Sequence, residues 1–126
     1  MTNNPARPLH LRIALVGDFA IGPGKADLLE GIRDTGSIAA AGRRMKMSYK
    51  RAWSLVEAMN AAFREPVVET ERGGSARGGA RLTGTGEEVL ATYRRMMDKA
   101  GKAAAPEIDT LKSMLSPEAV SNADSD

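Results

Sequence analysis

Ser37-Ile-Ala-Ala-Ala-Gly-Arg-Arg-Met-Lys-Met-Ser48-Tyr-Lys-Arg-Ala-Trp-Ser-Leu-Val-Glu-Ala-Met-Asn-Ala-Ala-Phe63 reads as a short helix, a tight break and a longer helix with a basic start. Ser37 and Ser48 each stand before a helix-forming run and offer a hydroxyl to a free first-turn N–H. Met45 to Met47 is the length of a turn, and small Ala39, Ala40 and Ala41 allow the two helices a close crossing. In the second helix Ala52, Val56, Met59 and Phe63 recur at spacings of four, three and four, which sets them on one core-facing side. Tyr49, Lys50, Arg51 and Ser54 fall off that stripe and gather at the N-terminal end, the end that a helix-turn-helix presents to base edges. The pattern points to a DNA-reading module.

Charge placement agrees with that reading. The formal net charge is only +2, yet from Arg43 to Arg81 nine Lys or Arg face four acidic residues, a balance of +5 that leaves −3 for the rest. Arg43, Arg44, Lys46, Lys50 and Arg51 are the densest part, and no acid interrupts them before Glu57. An isolated basic cluster is more simply a solvated helical face, but coincidence with the two-helix pattern favours phosphate contact.

Outward from this core, residues 1–8 are polar and proline-containing and read as disordered. Leu9, Leu11, Ile13 and Leu15 alternate with His10, Arg12 and Ala14, a half-buried strand pattern, and Gly17-Asp18 turns it into a return strand Phe19 to Ile21. Lys25 to Thr35 is a helix with Leu28, Leu29 and Ile32 inward, and Gly36 sits where a left-handed cap is wanted. Beyond Pro66, Val67 to Arg72 and Ala80 to Leu82 have strand character around a glycine-rich tip. Directly after a reader helix this is the wing of a winged helix, with Gly73, Gly74, Gly78 and Gly79 allowing close backbone approach and Arg77 in reach of a phosphate or the minor groove. Thr83 or Thr85 caps a helix running to about Lys102, whose apolar stripe of Val89, Leu90, Tyr93, Met96 and Met97 is wider than a small core requires and suggests a dimer interface. A further amphipathic helix over 103–115 either extends that interface or folds back on the domain. The acidic residues 116–126 read as a disordered tail.

The sequence therefore predicts a mainly α fold with small β elements: a winged helix-turn-helix over 9–102, with an N-terminal hairpin, a glycine-rich wing and a C-terminal dimerisation helix. At 126 residues one domain is the natural size. Absence of cysteine excludes disulfides and thiolate metal sites, one histidine leaves little for a metal centre, and no cofactor is implied. No apolar run approaches the roughly 18 residues of a membrane span, so a cytoplasmic, unprocessed chain without a membrane partner is expected.

Enzymatic signatures fail. Gly22-Pro23-Gly24-Lys25 lacks the spacing of a phosphate loop and reads as a helix start. His10 has no acid or nucleophile at a recognisable distance, the methionines are filler, and Trp53 reads as a packing residue.

Gly-Pro-Gly-Lys-Ala-Asp-Leu-Leu-Glu-Gly-Ile-Arg-Asp-Thr-Gly-Ser-Ile from Gly22, Met-Ser-Tyr-Lys-Arg-Ala-Trp from Met47, and Gly-Gly-Ser-Ala-Arg-Gly-Gly-Ala-Arg-Leu-Thr from Gly73 resemble the N-terminal domain of the ModE family of molybdate-responsive transcriptional regulators. The resemblance covers roughly Leu9 to Lys102, and its Ser37-Ile38-x-x-Ala41 part is shared with LysR-type regulators. It implies a dimeric winged helix-turn-helix on a palindromic operator near molybdate-transport or molybdoenzyme genes. Ser48, Tyr49, Lys50 and Arg51 carry over as reader candidates, and the glycines around Arg77 as the wing. With the positions above, the candidate DNA-contacting set is Ser37, Arg43, Lys46, Ser48, Tyr49, Lys50, Arg51, Ser54 and Arg77. Family members continue into molybdate-binding domains while this sequence stops at Asp126, so a homodimeric regulator lacking that sensor is expected, with molybdate only a candidate ligand. Two other readings are an adaptor that heterodimerises with a full-length regulator and a small oxyanion-binding protein.

Overall fold

The computed structural model describes residues 9–71 and 79–124. Expectations for 1–8 and for Gly73, Gly74, Arg77 and Gly78 lie outside the described residues.

The chain opens with an antiparallel hairpin, β1 (Ile13–Val16) and β2 (Phe19–Ile21), pairing Ile13 with Ile21 and Ala14 with Ala20. Gly17 makes the turn at φ 53°, a left-handed conformation that costs a glycine little. β1 is shorter than the alternation predicts. Leu9 to Arg12 lie outside it, and Leu15 and Val16 are 50% and 65% exposed rather than half-buried. The Leu11 carbonyl accepts instead from the Tyr93 hydroxyl at 2.7 Å, which ties the segment before β1 to the domain.

Helix α1 (Pro23–Thr35) starts with Pro23 in its first turn, where a missing N–H is harmless, and ends at Gly36, φ 74°, whose N–H returns to the Ile32 carbonyl. Leu28, Leu29 and Ile32 are fully buried. Helices α2 (Ile38–Arg44) and α3 (Tyr49–Ala62) follow as the sequence predicts. Gly31 and Gly42 are the residues that let these three helices touch. A Cβ on Gly31 would lie 2.9 Å from the Ala41 Cβ, and one on Gly42 3.1 Å from the Ala52 Cβ. The α3 stripe is inward as expected: Ala52, Val56 and Met59 are buried, and Phe63, at the helix end, meets the Phe19 ring edge-on.

Strands β3 (Val68–Thr70) and β4 (Ala80–Leu82) pair antiparallel, Val68 with Leu82 and Thr70 with Ala80. The wing base is sewn to the helices, because Ala80 N–H donates to the Gly36 carbonyl at 2.9 Å and Ser37 bridges to Gly79.

Helix α4 (Gly84–Ser113) departs from expectation, since it runs unbroken through Pro106 where a break and a second helix over 103–115 were predicted. Proline at this position deprives the Lys102 carbonyl of its intrahelical donor. Lys102 is exposed, so water can take that bond, and Ala103, Ala104 and Ala105 are the strongest of helix formers. The predicted disordered tail is likewise corrected. Pro117–Asp124 form helix α5, started by Ser116, whose hydroxyl accepts from Ala119 N–H, by Pro117 in the first turn and by Glu118 near the positive end of the dipole.

Candidate nucleic-acid interface

Both serines cap as their sequence positions suggest. Ser37 Oγ accepts from Ala40 N–H and Ser48 Oγ from Arg51 N–H, each at 3.0 Å. Each hydroxyl proton stays available to an acceptor such as a phosphate oxygen. Between them Met47 N–H reaches the Gly42 carbonyl at 2.9 Å, and Lys46 sits at φ 60°, a left-handed conformation unusual for a side chain with a Cβ. The turn is therefore tight, and it fixes where α3 begins.

At that start Tyr49 is 55% exposed, and Lys50, Arg51 and Ser54 are exposed. The Tyr49 ring stacks on Trp53, centroids 6.4 Å apart, and Trp53 is half-buried against the core. Trp53 is thus a packing residue that aims Tyr49. Arg43 and Lys46 are exposed beside the turn. Arg44, counted from sequence among the free cations, is bound instead: it donates to Asp34 at 2.9 Å, and this bond holds the Asp34 carboxyl below its ordinary value.

Sequence reading overlooked Asn60. Its Oδ1 accepts from Val67 and Val68 N–H at 2.8 and 3.2 Å, and its Nδ2 donates to the Val68 carbonyl at 3.1 Å. One side chain on the last turns of α3 therefore holds the strand that leads into the wing. An amide eight residues ahead of a strand is a faint signal, since nothing local to it requires a partner. Gly79, predicted in the wing, stands at its base against Ser37.

The proposed dimer residues divide. Leu90, Tyr93 and Met97 are buried in their own domain, which corrects their assignment to a free face. Val89 is half-buried, Met96 is 39% exposed, and with Leu15 and Phe63 they line a largely apolar groove of about 300 Å³ between hairpin and α4. Leu111, Met114, Leu115 and Val120 are also exposed. Among the described residues no group of three His, Cys, Asp or Glu could hold a metal ion, and no helix is long and apolar enough to cross a membrane.

No family model matches the chain. Among curated proteins it is 48% identical over 73 residues to the molybdenum-pterin-binding protein MopB of Rhodobacter capsulatus, an alignment covering 58% of this chain and 27% of that protein. It is 38% identical over 90 residues to the transcriptional regulator ModE of Yersinia pestis, covering 71% and 33%, and 40% identical over 83 residues to ModE of Haemophilus influenzae, covering 66% and 32%. The sequence is similar to that of the ModE regulators. The chain spans about a third or less of the length of these relatives. Among solved structures, the CbnR DNA-binding domain, crystallised with DNA, superposes with a TM-score of 0.54 at 22% identity, covering 70% of this chain and 95% of that one. The fold is a winged helix-turn-helix.

Proposed function

We propose that this chain is a sequence-specific DNA-binding transcriptional regulator, acting as a homodimer on a palindromic operator linked to molybdate transport or molybdoenzyme genes. The observation that carries the reading is the start of α3, where a serine cap and a tight turn present Tyr49, Lys50, Arg51 and Ser54 to solvent without a carboxylate partner among the described residues. Lys50 is suited to a guanine edge, Ser48 and Tyr49 to phosphate oxygens, and Arg43 and Lys46 to the backbone beside the turn. Similarity to ModE regulators supports the molybdenum link. In this reading the wing, including Arg77, follows α3 onto the neighbouring backbone.

The dimer rests on α4. Val89, Met96, Ala100, Ala104, Ile108 and Leu111 recur at near-helical spacing along one side and form an apolar stripe well past the domain's own core. Two such helices laid antiparallel set the domain-proximal half of one stripe against the distal half of the other, and two α3 helices then address two half-sites. The same stripe also suits a heterodimeric adaptor, in which case DNA affinity is negligible.

The test is selection of genomic DNA fragments by the purified protein near physiological salt, with and without molybdate, followed by affinity measurement on the enriched site. A palindromic site bound by two chains is expected, with Lys50→Ala weakening it by about tenfold or more, as loss of a good base contact does. Enrichment of no site, or binding indifferent to Lys50→Ala and Arg51→Ala alike, rejects the reading.

A further inference from the structure

Among the described residues some cations are paired with carboxylates and others are not. Arg33, Arg44, Arg81, Arg94 and Lys102 each meet a carboxylate within ion-pair distance. Arg12, Lys25 and Arg51 meet none among the described residues, although they arrive from three separate places: the segment before β1, the first turn of α1 and the first turn of α3. All three line one hollow of about 230 Å³, walled by Gly22, Met47 and Leu55. The packing that gathers them is specific. Gly22 packs beside the Arg12 backbone, where a Cβ would stand 3.6 Å from the Arg12 Cα in ordinary van der Waals contact, and the Lys25 ammonium lies over the Phe19 ring, 5.2 Å from its centroid.

Gathering three like charges without a counter-ion is unfavourable in the free protein. Burial, and then repulsion from Arg12 and Arg51, holds the Lys25 ammonium below the usual lysine value. An anion placed among the three groups adds an attraction to each of them, which offsets the repulsion between them. The hollow shares a wall with the first turn of α3, one residue from Lys50, so when α3 enters a major groove about 12 Å wide a phosphate strand bounding that groove passes along this side.

We infer that Arg12, Lys25 and Arg51 form a clamp for a DNA backbone phosphate at the rim of the groove read by α3. The inference rests on the DNA-binding reading above and adds to it Arg12 and Lys25, neither of which belongs to the helix-turn-helix or the wing. It assigns Arg51 to the backbone rather than to a base. The clamp fixes the depth and tilt of α3 and carries no sequence information, as phosphate contacts do not.

The experiment is affinity against salt concentration for wild type, Arg12→Gln, and Arg12→Gln with Lys25→Gln, on the selected operator and on unrelated duplex. Release of one phosphate's counter-ions lowers the slope of log affinity against log salt by about 0.9. The double variant is expected to lose about that slope and to weaken both duplexes by the same factor, about five- to tenfold. Arg12→Lys with Lys25→Arg is expected to restore the slope. Arg12→Gln alone alters an exposed side chain outside any strand or helix, so it tests the clamp even if the double variant melts early. An unchanged slope in a wild-type background that binds DNA steeply overturns the clamp and leaves the DNA reading standing. Wild-type binding without salt dependence removes both. A saturable thermal shift with inorganic phosphate, sulfate or molybdate that the double variant abolishes, with its DNA slope intact, overturns the clamp by giving the hollow to a free oxyanion.

Discussion

The two sides of α1 handle charge in opposite ways. On the side facing α4, Arg94 donates to Asp27 at 3.0 Å and also to Glu30, and burial that works against its cation is outweighed by these bonds, which raise its pKa. On the side facing α3, Lys25 has two cations for neighbours and no carboxylate among the described residues. Paired charge on the first side is architecture, since it joins α1 to α4 with its hydrogen bonds satisfied. Unpaired charge on the second side works against the free fold through mutual repulsion, and the clamp inferred above gives that repulsion a use when an anion arrives. The difference teaches that ion pairing, more than net charge, separates the scaffold from the reading face of this protein.

The comparison fails if the scaffold side tolerates change as freely as the reading side. Gly86→Ala should have the largest effect. Thr83 begins α4 by donating its N–H to the Val67 carbonyl at 3.0 Å and accepting from Gly86 N–H at 2.9 Å, which draws Gly86 against that same carbonyl. A Cβ there would lie 2.1 Å from the Val67 oxygen, and backbone must move. A loss of about 3 kcal/mol or more is expected in chemical denaturation, at the upper end for overpacking. A loss below about 1 kcal/mol would mean that β3 and α4 are not locked as described.

Arg94→Ala comes next. It takes the guanidinium away from Asp27 and Glu30, whose side chains are only 16% and 26% exposed, and leaves Glu30 with Arg33 at 3.9 Å; a loss of about 2 kcal/mol is expected, less than the figure for a fully buried pair because water reaches the site. DNA affinity measured where the variant stays folded should be unchanged. If it falls as far as in Lys50→Ala, the division between scaffold and reading charge is wrong.

Local chemistry made half of this legible in the sequence. Ser37, Ser48 and Gly36 cap helices through groups three or four residues away, and the period of Ala52, Val56 and Met59 is itself a statement about which side is buried. What escaped depends on partners distant in the chain. Leu90, Tyr93 and Met97 read as surplus because the surfaces they cover, including the Leu11 backbone, come from elsewhere in the fold. Arg44 read as free because Asp34 lies ten residues back across a helix boundary. Arg12 and Lys25 carried no signal, since only packing of the hairpin on α1 and α3 brings them beside Arg51. Pro106 misled for a different reason: a helix-breaking propensity was read as a rule where an exposed carbonyl leaves it only a cost.

The smallest effect sharpens the comparison most. Lys46 holds a left-handed backbone at φ 60°, which costs a residue with a Cβ about 1 kcal/mol relative to glycine. Lys46→Gly relieves that strain but gives the unfolded chain more freedom, so a net gain of about 0.5 kcal/mol is expected. If selection for stability alone shaped this turn, glycine would serve better. A lysine at its apex, exposed and without a carboxylate partner among the described residues, makes sense when its charge is used. Lys46→Gly should therefore raise the melting temperature slightly while lowering the salt slope of DNA binding by up to about 0.9. A variant that gains stability with an unchanged slope would place Lys46 outside the reading face and leave its strain without a function.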